Sequence, residues 1–285
     1  MDSAIALIES IRDYKVLFVG DAITDEYHYV SPLGKSPKEH IIPVLYHETE
    51  TFKGGVHAAA EHLRTFCAEV EVCASPTAVR KVRYVDRVYL RKLFEVHYDH
   101  VVARNSYFAG DWDAVVVTDF GHDRITGAMI EKLCRMPFVA VNAQTNSSNI
   151  GFNLITKYTR ADYIVIDENE ARLAAADRTG HIEDVILKLA HGRCNKFVVT
   201  LGVHGAIGFD GQEFHKSKAF TEKVVDTMGA GDAFFAVTAP MAKTGSIPDL
   251  LAIGNAAGAL KTQIVGHRAS ITKDKLIEFL QRTGR

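Results

Sequence analysis

Six short runs rich in Val, Ile and Phe constrain the fold of this chain more than any other feature. They are "KVLFVG" (15–20), "VEVC" (70–73), "AVVVT" (114–118), "FVAVN" (138–142), "YIVI" (163–166) and "FVVTL" (197–201). Continuous apolar runs of this length are typical of strands that are covered on both faces of a parallel sheet. Stretches with helical spacing separate them, near 54–66, 125–135, 169–176 and 182–191. The pattern therefore predicts a doubly wound α/β architecture.

The last ninety residues continue this arrangement with three predicted helices. One begins at "GAGDAFF", one spans Pro248 to about Leu260, and one lies near 273–282. No Pro- or Gly-rich linker interrupts the chain. We therefore expect a single domain over residues 1–285.

Two segments depart from this pattern, residues 25–52 and 79–100. Apolar and polar residues alternate in both, with no helix between the strands. Such strands require one solvated face, so we expect a small separate sheet that acts as a lid or as a dimer contact.

Composition excludes several classes of protein. Lys and Arg total 33 against 35 Asp and Glu, and no basic block stands out, so no nucleic-acid partner is expected. No apolar run approaches ~18 residues, which argues against a membrane span. The four cysteines lack C-x-x-C spacing, which favours reduced thiols. Together with an N-terminus unlike a signal peptide, these features predict a cytoplasmic protein.

The stretch "VVDTMGAGDAFF" (224–235) contains the strongest chemical signal. Gly229 and Gly231 lie where an extended segment changes into a helix, and the first amides of a helix attract anions. Asp232 follows at once, and we expect it to be ionised there. A carboxylate at such a point is suited to take a proton from a hydroxyl that attacks a phosphoryl group. The alternative is that Asp232 is an ordinary acidic residue in the first turn of a helix, and that Gly229 and Gly231 only form the turn before it.

These residues resemble the ribokinase-like (PfkB) sugar-kinase family. Its D-T-x-G-A-G-D-x-F signature is matched from Asp226 through Thr227 to Phe234. The resemblance implies a three-layer α/β/α fold with a mostly parallel sheet and a small β-sheet lid. It also implies that Asp232 is the catalytic base, and that Gly229, Ala230 and Gly231 form the anion hole for the transferred phosphate of ATP.

The resemblance extends to the nucleotide side of the site. "VTLGVHGAIGF" is similar to the family's T-x-G-x-x-G element, and Asn255 matches a position beside the adenine. The nucleotide-binding residues implied are Thr200, Gly202, Gly205, Thr227 and Asn255. The family's N-x-x-E element occurs as Asp167 to Glu170, which implies that Asp167 and Glu170 help to place Mg²⁺.

The N-terminal half resembles the family at its sugar side. "VGDAITDEY" and "FKGGVHAAAEHL" match sugar-binding motifs, while "GKSPKEHIIPV" and "PTAVRKVRYV" are most similar to the heptose-7-phosphate kinase branch. The implied substrate-binding residues are Asp21, Asp25, Gly54, Gly55, Lys81 and Arg83. The branch also implies a homodimer through the lid and a fused or partner nucleotidyltransferase. Lys and Arg on a lid edge also occur simply to prevent aggregation.

Several positions depart from the family pattern. Gln144 stands where a lysine is usual, and His57 follows Gly54–Gly55–Val56 without the expected asparagine. Only "AS" separates "VEVC" from "PTAVRKVRYV", where the family has another helix and strand. The open alternatives are therefore a degenerate binding or assembly module and a kinase for a nucleoside or vitamin-like alcohol. No H-E-x-x-H motif occurs, so a histidine metal site is not expected.

Overall fold

The computed structural model describes residues 2–75, 77–98, 110–220 and 224–284. Its larger sheet has eight strands in the order β12-β11-β10-β9-β8-β7-β1-β4. Six of them are parallel to one another and coincide with the six apolar runs. Their bounds are β1 Lys15–Gly20, β4 Glu69–Ala74, β7 Ala114–Asp119, β8 Val139–Ala143, β9 Tyr163–Asp167 and β10 Lys196–Thr200.

Alternation along the central strands produces two cores. In β1, Val16 and Phe18 face one layer, while Leu17 and Val19 face the other. The first layer contains α1 Asp2–Ser10, α2 Val56–Glu61, α6 Ala230–Met241, α7 Ile247–Lys261 and α8 Lys273–Thr283. The second contains α3 Gly127–Leu133, α4 Glu168–Ala175 and α5 Ile182–Ala190. The predicted three-layer, doubly wound fold is confirmed.

Four further strands form the separate small sheet, in the order β3-β2-β5-β6. They are β2 Ala22–Pro32, β3 Val44–Gly55, β5 Val79–Asp86 and β6 Lys92–Tyr98. The predicted lid segments therefore do form one sheet, although residues 99 and 100 lie outside the described residues. Tyr27, Tyr29 and Val85 make a small core that packs on Met228, just before α6. The lid is thus held against the start of that helix.

Some boundaries differ from the sequence expectation. Gly54 and Gly55 end β3, so the helix predicted from 54 begins only at Val56. The chain also adds two antiparallel edge strands, β11 Ala206–Phe209 and β12 Phe214–Ser217. β4 is the last strand at one side of the main sheet, because the next strand in the chain, β5, belongs to the small sheet instead. Within the described residues, no helix has the length and apolar character needed to span a bilayer.

Candidate active site

The start of α6 presents unbonded amides. Gly229 is the N-cap, with φ of 75°, and no side chain caps the helix. The Ala230 amide makes one long bond, 3.4 Å, to the Thr227 carbonyl. Across the part of the chain that the structure describes, no acceptor lies on the amides of Gly229, Gly231 or Asp232. Since a helix N-terminus carries partial positive charge, these amides can bind an anion.

Asp232 lines a pocket of about 220 Å³, whereas Gly229, Ala230 and Gly231 precede it in the chain without lining that pocket. The Gln144 amide donates a hydrogen bond to Asp232 Oδ1 and another, of 2.9 Å, to Asn142 Oδ1. Burial raises the pKa of Asp232, and this rise is opposed by the Gln144 bond and by interactions with His267 and Lys261. The surroundings thus act against the ionised form that the helix position alone predicted. A carboxylate whose pKa is raised is a stronger base when it is ionised.

The lid supplies the opposite wall of the pocket. Asp25 accepts a hydrogen bond from Arg83 Nη1, and His267 Nε2 lies 3.5 Å from Asp25 Oδ2. Burial raises the pKa of Asp25, but His267 and Arg83 outweigh that effect and hold it below its usual value. Asp25 is therefore an ionised acceptor directed at the pocket.

The paired glycines at the end of β3 allow Asp25 to lie there. A Cβ on Gly54 would lie 2.1 Å from Asp25 Oδ2, and one on Gly55 would lie 2.3 Å from the Asp21 carbonyl oxygen. Gly55 also has φ of 60°, which side chains disfavour. Gly55 lines the pocket, whereas Gly54 lies behind Asp25.

Asp21 supports the pocket from beneath. Its Oδ2 accepts a 2.8 Å bond from the amide of Phe120, which lines the pocket. Burial, followed by the charge of Asp119, raises the pKa of Asp21 to about 7. The structure places this carboxyl behind the wall, so direct contact with a substrate stays a prediction.

Lys81 and Arg83 both line the pocket, and their contact with a substrate stays a prediction. Lys81 is 7% exposed; burial lowers the pKa of its ammonium, and Asp25 opposes that change. Arg83 also pairs with Glu95 at 3.2 Å, and Glu95 lies 2.8 Å from His97 Nε2. The lid wall therefore combines basic groups with two carboxylates.

Four of the five implied nucleotide-binding residues lie around the β10–β11 turn, and the fifth, Thr227, lies in the loop before α6. Thr200 ends β10, and Gly202 and Gly205 form the turn into β11. Asn255 Nδ2 donates to the carbonyls of Ser217 at 3.2 Å and Lys218 at 3.3 Å. Gly205 lies against the same segment, since its Cβ would contact the Ser217 carbonyl oxygen at 2.0 Å. Thr227 is exposed before α6. These five residues border the β10–β11 turn and the loop ahead of α6.

Asp167 and Glu170 form a capping box on α4. Asp167 Oδ1 accepts from the Glu170 amide, and Glu170 Oε2 accepts from the Asp167 amide, both at 2.8 Å. Glu170 Oε1 accepts from the Thr145 amide at 2.8 Å. Burial and the nearby Asp167 charge raise the pKa of Glu170. Because their oxygens already accept backbone hydrogen bonds, both carboxylates are better placed to bind waters of a Mg²⁺ ion than to bind the ion directly. Mg²⁺ commonly keeps several waters in its coordination shell. No cluster of three or more His, Cys, Asp or Glu suited to a metal occurs in the described ranges.

Sequence reasoning missed several pocket residues, among them Gln144 and His267, which contact Asp232 and Asp25 respectively. Gln144 was noted only as a departure from the family pattern. No motif contained His267, which lies between α7 and α8 and packs on Phe52 of the lid with ring centroids 6.5 Å apart.

Comparison with known proteins shows what this chain is similar to. The family model for "pfkB family carbohydrate kinase" matches residues 143–274, which include Gln144 and the start of α6. A ribokinase of Lactococcus lactis is 27% identical over 176 residues, 59% of this chain and 55% of the relative. A fructoselysine 6-kinase of Escherichia coli is 39% identical over 70 residues, 24% of this chain and 27% of the relative. The match thus spans about half of the first relative and a quarter of the second.

Solved structures extend the similarity of fold to nearly the whole chain. A putative ribokinase of Agrobacterium tumefaciens has a TM-score of 0.68 at 18% identity, covering 96% of this chain and 99% of that one. Arabidopsis thaliana ribokinase, solved with ribose and ATP, has a TM-score of 0.65 at 16% identity, covering 94% and 99%. Escherichia coli phosphofructokinase-2, solved with fructose-6-phosphate, has a TM-score of 0.67 at 12% identity, covering 95% and 100%.

The class of protein is therefore a ribokinase-like α/β protein with a separate small sheet. Over residues 143–274 the chain is also similar to the pfkB family carbohydrate kinases.

Proposed function

We propose that this chain transfers the terminal phosphate of ATP to a hydroxyl of a sugar or sugar phosphate. One observation carries the proposal: the unbonded amides at the start of α6 adjoin Asp232, and Asp232 faces a pocket closed by charged lid residues. An anion site, a base and a polar acceptor pocket are thus within one small volume. Phosphoryl transfer relies on this kind of positioning and charge stabilisation.

In the proposed reaction, the oxygen of the acceptor hydroxyl forms a bond to the terminal phosphorus of ATP, and Asp232 accepts the proton of that hydroxyl. The bond between that phosphorus and the bridging oxygen breaks, and ADP leaves. Gln144 orients the Asp232 carboxylate through its hydrogen bond. The amides of Gly229, Ala230 and Gly231 stabilise negative charge on the migrating group. ATP supplies the phosphoryl group, and Mg²⁺ supplies compensating positive charge on its oxygens.

Asp25 and Arg83 would bind the acceptor, since an ionised carboxylate and a guanidinium suit sugar hydroxyls and anionic groups respectively. Lys81 adds a second buried cation on the same wall. This charge pattern supports an acceptor that itself carries a phosphate, such as a heptose 7-phosphate. The lid would exclude water, which otherwise competes as the acceptor.

On the nucleotide side, Thr200, Gly202, Gly205, Thr227 and Asn255 would border the ATP. Asp167 and Glu170 would hold waters of the Mg²⁺ shell and so place the metal near the start of α6. The effect of Asp232 on the pKa of Glu170 supports this placement, because it requires the two carboxyls to be near each other.

An acceptor screen tests the proposed function. Thermal shift would be measured with ATP, ADP, sugars, sugar phosphates, nucleosides and vitamin-like alcohols, followed by ADP release with each binder. ADP formed in the presence of a sugar or sugar phosphate is the expected result. If ADP forms only with a nucleoside or another alcohol, the acceptor is not a sugar and the proposed acceptor class is wrong. Nucleotide binding without turnover would indicate a binding module.

We also propose a homodimer through the lid, in the cytoplasm. Large apolar side chains are exposed on that sheet, among them Leu45 at 54% and Tyr46 at 56%. The four cysteines are free, which suits a reducing compartment. A nucleotidyltransferase partner is proposed from the heptose-branch resemblance alone.

A further inference from the structure

Lys261, at the end of α7, is a fully buried lysine with 0% exposure. Its ammonium donates to two backbone carbonyls, Met228 at 2.8 Å and Gly266 at 2.7 Å. Met228 precedes the N-cap of α6, and Gly266 precedes the pocket residue His267. One buried cation therefore joins the two loops that border the base.

Asp226 binds the same two residues in the complementary way. Its Oδ1 accepts from the Met228 amide at 3.1 Å, and its Oδ2 accepts from the Gly266 amide at 3.0 Å. The ammonium thus holds both carbonyls while the carboxylate holds both amides. This clamp, formed by Lys261 and Asp226 on Met228 and Gly266, links the two loops through four hydrogen bonds.

The clamp lies directly below the proposed anion hole. A Cβ on Gly229 would lie 3.2 Å from Lys261 Cε and 3.5 Å from His267 Cε1. Asp226 also reaches the lid, since it accepts from Lys92 Nζ at 3.0 Å and from the Tyr27 hydroxyl at 3.3 Å. The clamp therefore connects the lid, the start of α6 and His267.

Packing alone does not explain why the buried side chain at position 261 is charged. A buried ammonium loses its hydration, and an apolar side chain of similar size fills a core position at lower cost. Burial accordingly lowers the pKa of Lys261, while Asp226 and then Asp232 oppose that change. A cation is useful at this position only if its attraction to carbonyl oxygens orders the backbone.

We propose that Lys261 is a positioning residue that acts as an internal cation, ordering residues 226–229 and 265–267 so that the start of α6 and the pocket residue His267 keep their positions on either side of it. The inference rests on the proposed function for its catalytic meaning. Its structural content, that a charge orders these loops, can be measured without any transfer.

Hydrogen exchange in three proteins tests the proposal: the unaltered chain, Lys261→Ala and Lys261→Met. Amide exchange would be followed at residues 226–232 and 264–268, in ammonium and in tetramethylammonium chloride at equal ionic strength. In Lys261→Ala we expect about tenfold faster exchange at these amides, as for the loss of hydrogen bonds to a charged group. Ammonium should restore protection there, because it fits the vacated space and donates N–H bonds, whereas tetramethylammonium should not.

Lys261→Met is the matched variant, since it fills the volume without charge. It should show the same fast exchange in both salts, and the unaltered chain should show slow exchange in both. Unaltered exchange in the Met variant, or an Ala variant that ammonium does not protect, would overturn the proposal. So would failure of both variants to fold in either salt.

Phosphate transfer would be measured on the same samples. We expect kcat of both variants to fall with little change in KM for ATP, and ammonium to restore kcat in Lys261→Ala only. If the unaltered chain transfers no phosphate, the proposed function fails while the exchange result still decides the role of Lys261.

Discussion

At the residue scale, the chemistry of the pocket depends on what already contacts Asp232. The carboxylate could be selected as a candidate because "DTMGAGDAF" matches the D-T-x-G-A-G-D-x-F signature, although glycines and an acid at a helix start are not specific by themselves. Its partner Gln144 is 88 residues away in the chain, at the end of β8, and no local pattern joins the two. Local spacing thus predicts the base but not the groups that set its pKa.

Replacing Gln144 with alanine tests whether its hydrogen bond influences the pKa of Asp232. The amide donates to the ionised carboxylate, so its loss should raise the pKa of Asp232 further. Because transfer needs the ionised base, activity rises with pH through this pKa. The acidic limb of the kcat/KM profile should therefore move to higher pH in Gln144→Ala.

Gln212→Ala, in an exposed turn, is the control and should keep the original profile. A shift of the Gln144→Ala profile to lower pH would contradict the assigned hydrogen bond.

At the element scale, the buried parallel strands were predictable because each is a continuous apolar run. β11 and β12 were not, since each has four residues and "FHKS" carries little apolar signal. The boundary at Gly54 and Gly55 was also misplaced, because glycines before an alanine-rich run look like a helix start. Their actual role is set by contacts with Asp25 in β2 and with Asp21, which lies just before that strand.

Gly55→Ala should therefore destabilise the fold. The added Cβ would meet the Asp21 carbonyl oxygen at 2.3 Å, and φ of 60° is unfavourable for alanine. We expect the free energy of unfolding to fall by roughly 1–3 kcal/mol, measured by denaturant titration.

Gly127→Ala provides the comparison, because it is helical and nothing lies within 4 Å of its added Cβ. It should be neutral or stabilising by about 0.4–1 kcal/mol. Equal effects of the two substitutions would show that Gly55 is not under the constraint described.

At the scale of the whole molecule, the lid and the main sheet meet through residues far apart in sequence. Arg268 binds Glu50 at 2.6 Å, and Tyr27 reaches Asp226. Alternating segments predicted a separate sheet, yet its docking on the loop before α6 depends on these long-range pairs. The family motifs predicted the order of these segments along the chain but not the contacts between them.

The exposed apolar face of the lid leads to a prediction about assembly. Leu45→Glu places a charge on that face, so it should convert a dimer to a monomer. Sedimentation velocity would measure the change.

Leu187→Glu, on the exposed side of α5 and 44% exposed, should leave the dimer intact. An unaltered chain that sediments as a monomer, or dissociation by both substitutions alike, would contradict a lid-mediated dimer.

The account depends most directly on Asp232 as the base, and one paired measurement tests it. ATP binding by calorimetry and ADP release with the best acceptor would be compared for the unaltered chain, Asp232→Asn and Asp274→Asn. Asp274 is the control, an exposed acid in the first turn of α8. We predict that Asp232→Asn binds ATP normally and loses roughly 10²–10⁴-fold in transfer rate, whereas Asp274→Asn is unaffected. Undiminished transfer by Asp232→Asn would contradict the account.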